Sequence, residues 1–362
     1  MKAVRLHGRN DLRLDEIEEP APGATDVVVR VAACGICGSD LSYLRTGGVS
    51  RVLKGDRERV GGVVVRRVEL HGTTERRNRL RAIGLGHELS GTIAAVGQDV
   101  RGLAPGMRVI VNPMGGGNAI GNGSPEGAFA PLLLVRNAVV GDGIHQIPES
   151  LPFEKAALAE PLSVSLHAVN RAGVKTGSKV AVFGAGSIGL GIVLFLRQRG
   201  IEDIAVIDVS DQRLGRARAL GASVTINPAR DDVAARLGEL HGRGELFGWP
   251  VVGTDTFFEV SGAASVIPSI IGMAPFHASL VVVAVHHEAV PVNFLMALGK
   301  EMTITTSMAY PNEFPDVLAT LASGLDVEPI ISHRFPLDDY ARAFAVARDR
   351  DVSGKVMITF PA

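Results

Sequence analysis

Four residues of this 362-residue chain have the chemistry of a metal site. They are Cys37 in "ACGICGSDLS", His87 and Glu88 in "GLGHELSGTIAAVG", and Glu160 in "ALAEPLSVSLHA". Thiolate, imidazole and carboxylate are ordinary zinc ligands, and a zinc ion that acts on an alcohol needs about three protein ligands and one open position. Each residue also has a plainer explanation. A lone buried cysteine is usually packing, a lone histidine is often a satisfied core residue, and Glu88 or Glu160 could be surface acids. Glu160 fits that reading less well, because it lies between apolar "AALA" and "PLSV", where an unpaired carboxylate is costly. Cys34 and Cys37 are the chain's two cysteines, too few for a four-cysteine zinc site or a disulfide framework. A redox Cys-x-x-Cys pair is the rival. Such a pair opens a helix, whereas this one follows the strand-like "DVVVRVAA" and runs into Gly-Ser-Asp, which has turn chemistry.

A second constellation is Gly184-Ala-Gly186-Ser187-Ile188-Gly189, a G-x-G-x-x-G pattern. The pattern alone is weak, but here it follows the apolar "KVAVF", opens a helix-length segment and precedes Asp208 at the end of the next strand. The first glycine permits a tight turn, the second lets the backbone approach a pyrophosphate, and the third brings helix and strand together. The helix N-terminus then faces the phosphate charge. Asp208 can accept hydrogen bonds from ribose hydroxyls and would repel a 2′-phosphate, which favours NAD over NADP. Arg213 lies close by, and swinging onto a 2′-phosphate would weaken that preference.

These residues need elements to hold them. The chain is too long for one ordinary core, which implies two domains. Up to about residue 155, short β runs alternate with Gly, Pro and Asp: "MKAVRLH", "DVVVRVAA", "SGTIAAVG", "RVIVNP" and "FAPLLLV". From Lys179 strands alternate with helices: "KVAVF", "DIAVIDVS", "SVTINP", "TDTFFEVSG", "SLVVVAV" and "MTITTSM" are the strands. Near-continuous apolar strands of this kind belong to a parallel sheet covered on both faces. The end of the chain, "GKVMITF", returns to the first domain. A net charge of −1 argues against a general nucleic-acid or membrane-surface role. No segment reaches the ~18 uninterrupted apolar residues of a membrane span, and "MKAVRLHGRN" has no apolar signal core. The expectation is a soluble, cytoplasmic protein.

Taken together, "CGICGSD", "GHELSGTIAAVG", "GAGSIG" and "SGKVMITF" resemble the zinc-dependent medium-chain dehydrogenase/reductase family over essentially the whole chain. "AEPLSVSLHA" and "FFEVSG" look most like its sorbitol, idonate and 2,3-butanediol dehydrogenase branch. The resemblance implies an α/β fold: a GroES-like β-rich catalytic domain over 1–155, a Rossmann NAD-binding domain over 156–300, and a 301–362 segment holding the last Rossmann strand and the return. It implies one catalytic zinc on Cys37, His87, Glu88 and Glu160, the two acids binding directly or through water. Asp40 then orients His87 from behind, and Cys34 is inert packing. Lys355 looks like the family's basic contact to the pyrophosphate; its plain alternative is a solvated lysine at a strand start. The activity implied is reversible oxidation of a secondary alcohol or polyol to a ketone with NAD. A Lewis-acid metal lowers the alcohol's pKa, Ser39 takes the proton, and the hydride goes to the nicotinamide. A homodimer or homotetramer is implied as well.

Two departures stand out. The lobe that carries four cysteines and a structural zinc in the family reads "NPMGGGNAIGNGSPEGAF" here, so no second zinc is expected, and the family's histidine after "CGSDL" is Ser42. The stretch from Cys37 to His87 is longer than the family resemblance implies. Its excess, about 46–82, is basic: Arg45 to Arg81 holds 11 Lys+Arg against 4 Asp+Glu. Almost without aromatics, it is not read as a nucleic-acid site; a hairpin-like excursion covering the active-site entrance is the expectation, with a solvated loop as its rival. Three other functions are compatible with the same fold, and of these only the second stays open on the sequence. A zinc-free reductase of the same fold conflicts with Cys37, His87 and Glu160; a redox-neutral epimerase or eliminase would retain its NAD; and a non-catalytic binding protein would have lost a ligand.

Overall fold

The alternating "VVVRVAACG" becomes the strand Val27–Gly35, buried along most of its length with Arg30 pointing to solvent. In the computed structural model, which describes residues 1–48, 57–60, 63–66 and 82–361, it is the axis of an antiparallel sheet. Glu88–Val96 pairs with it through Gly35↔Glu88, Cys34↔Leu89 and Val31↔Gly91. Arg108–Val111 follows on Glu88–Val96, and Ile144–Gln146 on that. On the other edge of Val27–Gly35 lie Leu132–Val135 and the Met357–Thr359 part of the C-terminal strand. A Cβ on Gly91 would fall 2.0 Å from the Arg30 carbonyl oxygen, so the two strands approach only because the residue is glycine. Lys2–Gly8 and Asp11–Glu16 form a separate hairpin edged by Ile83–Gly84.

These elements belong to the first of two compact units, Met1–Ala157 with Arg334–Ala345 and Met357–Ala362. The second unit is Leu158–His333 with Val346–Val356. Its six parallel strands run in the order Val224–Ile226, Ile204–Ile207, Val180–Phe183, Thr256–Glu259, Ser279–Val282, Thr303–Thr306. Val180–Phe183 and Ile204–Ile207 are buried at every residue, as continuous apolar runs in a doubly covered sheet require. The helices between strands start where side chains accept the first free N–H groups. Ser210 caps Asp211–Ala219 and Asp232 caps Val233–His241. A hairpin absent from the sequence reading, Arg243–Leu246 with Trp249–Val252, is inserted after Val233–His241. The chain winds outward from Val180–Phe183 through Ile204–Ile207 to Val224–Ile226, then returns with Thr256–Glu259 on the other side. That reversal lies at the carboxyl ends of Val180–Phe183 and Thr256–Glu259, the usual ligand position in such sheets.

Within the basic segment, Arg57–Val60 and Val63–Arg66 pair as antiparallel strands. The rest of the segment, and with it the expected cover over the active-site entrance, lies outside the described residues. Among the described residues no helix is long and apolar enough to cross a membrane.

Candidate functional site

Register brings the metal residues together. Gly35 pairs with Glu88, so the end of one strand lies beside the start of the next, and Cys37 follows just beyond. Cys37 Sγ, a His87 ring nitrogen and a Glu88 carboxylate oxygen fall within 4.8 Å of one another. His87 is 3% exposed and Glu88 1%, while Cys37 is half-buried. Donors on a zinc ion sit about 2.0–2.3 Å from it, so three side chains at this spacing can share one ion. The charge fits too. Glu88 and Asp40 are both buried in one cluster, and a divalent cation offsets the cost of holding two carboxylates away from water.

The backbone around the cluster is fixed by Asp40. Gly38–Thr46 is a helix with Cys37 at its N-cap, not the turn expected from Gly-Ser-Asp. Asp40 is therefore in the first helical turn, where its Oδ2 accepts the Cys37 N–H at 2.9 Å. Its Oδ1 accepts the Gly86 N–H at 3.1 Å, on the residue before His87. The same oxygen is 3.9 Å from His87 Nδ1, within ion-pair reach but too long for a hydrogen bond. Asp40 thus ties together the two chain segments that carry the ligands, rather than gripping the imidazole. Burial pushes its carboxyl above the ordinary range, against the pull of His87 and the two backbone N–H groups. Gly86, at φ +86°, turns the chain into His87, and a Cβ there would press on Cys34 Sγ and the Phe129 ring at 3.0 Å. Cys34 itself is fully buried.

Ser39 lies in the first turn of the same helix with its hydroxyl oxygen buried, beside Tyr43. Tyr43 is pushed up to about 12 by burial first and by the Asp40 and Cys37 charges second, so it stays protonated. It donates to Asn122 Oδ1 at 3.0 Å, linking this helix to the segment that stands in for the four-cysteine lobe. That segment is held by other means. Asn118 Nδ2 donates to the Gly115 and Arg136 carbonyls, both at 2.7 Å, and Gly116 N–H donates to Asp142 at 2.8 Å. Glu160 belongs to the second unit, as the second residue of the helix Ala159–Ala172, and is 9% exposed. Its part in the metal site rests on the family resemblance.

In the second unit the glycine pattern forms the turn from Val180–Phe183 into the helix Ser187–Gln198. Gly184 has φ +114°, and a Cβ on Gly189 would lie 1.9 Å from the Gly184 carbonyl oxygen. A Cβ on Gly186 would meet nothing within 4 Å, so that face of the turn is open. The N–H groups of Ser187 and Ile188 begin the helix there, where an anion is favoured. Asp208 follows Ile204–Ile207; its carboxylate accepts the Ala185 N–H at 2.7 Å and the Ser210 N–H at 2.9 Å. Arg213 is engaged elsewhere. Its guanidinium donates to the Ser353 carbonyl at 2.7 Å and to Ser353 Oγ at 3.1 Å. Lys355 is 3% exposed, which is not the burial of a solvated lysine. The sequence reading missed the double role of Asp40, the Arg213–Ser353 anchor and the pairing of buried Glu259 with part-buried His286. Of these only Asp40 had a local signal, an acid three residues after the capping position.

Residues 23–146 match the alcohol dehydrogenase GroES-like domain, and residues 187–323 match the zinc-binding dehydrogenase domain. The chain is 31% identical to the sorbitol dehydrogenase of Rattus norvegicus, over 98% of this chain and 94% of that protein. Its fold is similar to 2R,3R-butanediol dehydrogenase from Bacillus subtilis, with a TM-score of 0.81 and 28% identity over 99% of each chain. It is also similar to an alcohol dehydrogenase from Escherichia coli solved with the cofactor NADH, with a TM-score of 0.80 and 25% identity over 99% of each chain.

Proposed function

The chain belongs to the zinc-dependent alcohol dehydrogenase family, and from that premise we propose a secondary alcohol or polyol as its substrate, oxidised reversibly to the ketone with NAD. The observation that carries the reading is the convergence of Cys37, His87 and Glu88 within 4.8 Å at the Gly35↔Glu88 register. When bound, zinc supplies a Lewis acid that makes an alcohol hydroxyl easier to deprotonate, and NAD supplies the hydride acceptor. Cys37, His87, Glu88 and Glu160 are the residues we assign to the metal. Asp40 holds Cys37 by its N–H and His87 through the N–H of the preceding Gly86. Ser39 takes the hydroxyl proton at Oγ; with Ser42 in the place of the family's histidine, the proton leaves by a route that does not use an imidazole at that position. Gly184, Gly186, Ser187, Ile188 and Gly189 form the phosphate turn, and Lys355 is the basic contact to the pyrophosphate. Asp208 reads the ribose hydroxyls. The anchoring of Arg213 to Ser353 supports NAD over NADP, because a 2′-phosphate would have to draw it away.

The relatives are dehydrogenases, which leaves the redox-neutral and non-catalytic readings without support. We assign a homodimer or homotetramer. Thr303–Thr306 ends the parallel sheet, and Phe294, Leu295, Leu298 and Met308, which flank it in sequence, are exposed. A cytoplasmic location is part of the same reading. The test of function is a panel of secondary alcohols, diols and their ketones followed at the NADH absorbance, with metal measured on the same sample. Turnover of diols or polyols by zinc-loaded protein is the expected result. No turnover of any member in either direction would overturn the substrate assignment.

A further inference from the structure

Glu259 ends the strand Thr256–Glu259 and is wholly buried. A buried carboxylate must find donors for both oxygens or lose more than it gains, and here each oxygen does something different. Oε1 accepts the Ser261 N–H at 2.9 Å, the Ser261 hydroxyl at 2.7 Å and the Gly262 N–H at 2.8 Å. Oε2 meets His286 Nε2 at 2.8 Å. The Glu259 carbonyl accepts the N–H groups of Val283, at 2.9 Å, and Ala284, at 3.2 Å. One residue therefore clamps the turn after its own strand and the exit of the next strand, Ser279–Val282. His286 closes the clamp from the second loop.

The location gives the clamp a consequence. Thr256–Glu259 lies beside Val180–Phe183 at the point where the strand order reverses. Val260 N–H donates to the Phe183 carbonyl at 2.9 Å. A Cβ on Gly184 would sit 2.9 Å from Ser261 N and from the Val260 carbonyl carbon. The turn that Glu259 holds is the surface against which the phosphate-binding glycine turn packs. On the other loop, Ala284 Cβ and the Val285 carbonyl face Gly262.

We propose that His286 is a coenzyme-positioning residue: by engaging Glu259 it fixes the loops Val260–Gly262 and Val283–Val285, and so sets the affinity for NAD. It acts through Glu259, not by touching the glycine turn. This inference rests on the NAD-linked function proposed above. A charge-assisted hydrogen bond in a shielded site is among the stronger ones, and its loss frees both loops together. The sequence pattern offers no hint of it, because residues 259 and 286 meet only through the parallel pairing of their strands.

The test measures NADH binding to the purified protein by calorimetry, alongside zinc content and melting temperature. His286→Ala is expected to raise the NADH Kd about tenfold, equivalent to about 1.4 kcal/mol, with zinc content unchanged. His286→Gln keeps an amide N–H for Oε2 and should recover most of that loss. If His286→Ala does not fold, His286→Leu, which fills the space without a donor, takes its place against His286→Gln. A donorless variant that melts earlier yet binds NADH within about twofold of the parent would show a purely structural histidine and overturn the proposal. Equal weakening by Gln and by the donorless variant would overturn it too. A parent protein that fails to bind NADH at all would sink the coenzyme assignment first and this inference with it.

Discussion

Replacing Asp40 by asparagine tests how the metal centre is assembled. The wild-type carboxylate, wholly buried, accepts the N–H of Cys37 and the N–H of Gly86 with one oxygen each. Asparagine has the same shape but one acceptor oxygen, so its amide nitrogen must face one of the two N–H groups, donor against donor. One buried N–H is left unsatisfied, at a cost of about 1–3 kcal/mol. For a unit of this size each kcal/mol shifts the melting temperature by about 2–4 °C, so a fall of about 2–12 °C is expected. Metal affinity should drop as well, because the loosened segments carry Cys37 and His87; loss of a group that orients ligands typically costs about 10–100-fold. Asp40→Ala, which leaves both N–H groups without that partner, should be worse on both counts. The assay is zinc retained after dialysis against graded chelator, with calorimetric melting of the same samples. Since Oδ1 stands 3.9 Å from His87 Nδ1, the loss is attributed to the backbone ties and not to the imidazole's orientation. An Asn variant that keeps wild-type zinc affinity and melting would refute that account.

Other consequences can be checked on the same preparation. Elemental analysis should find one tightly bound zinc per chain, since Cys37 is the thiolate left for a metal once Cys34 is buried in packing; two zinc ions per chain would contradict this. Cys37→Ser or His87→Ala should lose zinc and turnover while NADH binding, measured by calorimetry, stays near wild type. Asp208→Asn should narrow the preference for NAD over NADP in kcat/KM by about tenfold or more, on the scale of one charged hydrogen bond. It should also raise the KM for NAD, because Asp208 holds the Ala185 N–H of the phosphate turn. Two glycines of that turn should separate cleanly. Gly189→Ala puts a Cβ 1.9 Å from the Gly184 oxygen and should compromise folding, whereas Gly186→Ala meets no protein atom and should spare the melting temperature while weakening NADH binding. A Gly186→Ala protein with unchanged NADH affinity would show that phosphate does not approach that face.

How far the sequence could be read depended on how local each feature is. The glycine turn after Val180–Phe183 is legible because strand, glycines, helix and acid follow one another along the chain, and their spacing fixes their geometry. The helix at Cys37 was misread from a similarly local signal. Gly-Ser-Asp is turn chemistry, but Ser and Asp are also what a first helical turn selects, and Asp40 decides for the helix by accepting the Cys37 N–H. With the helix there, its absence no longer argues against a redox pair. What separates the two readings is His87 and Glu88 beside Cys37, while Cys34 is buried on the neighbouring strand.

Non-local features were a different matter. Residue types alone named Cys37, His87 and Glu88, but nothing in their spacing says that Gly35 pairs with Glu88; the family resemblance supplied that link before the register did. Lys355 shows the same limit from the opposite side. As a charged residue opening a strand it has the look of a solvated one, yet it is buried, because what surrounds it comes from segments remote in sequence, Ser332 among them, whose hydroxyl donates to the Lys355 carbonyl at 3.1 Å. In the sequence Glu259 stands as one acid in "FFEVSG" and nothing marks His286, since an acid after three β-type residues is indistinguishable from a strand-end surface charge until the neighbouring strand is known. In each case the missing information is which strand lies next to which. A single chain encodes that in the summed packing of its core and not in any short motif. Residues that act through a neighbouring strand are therefore the ones a motif search passes over.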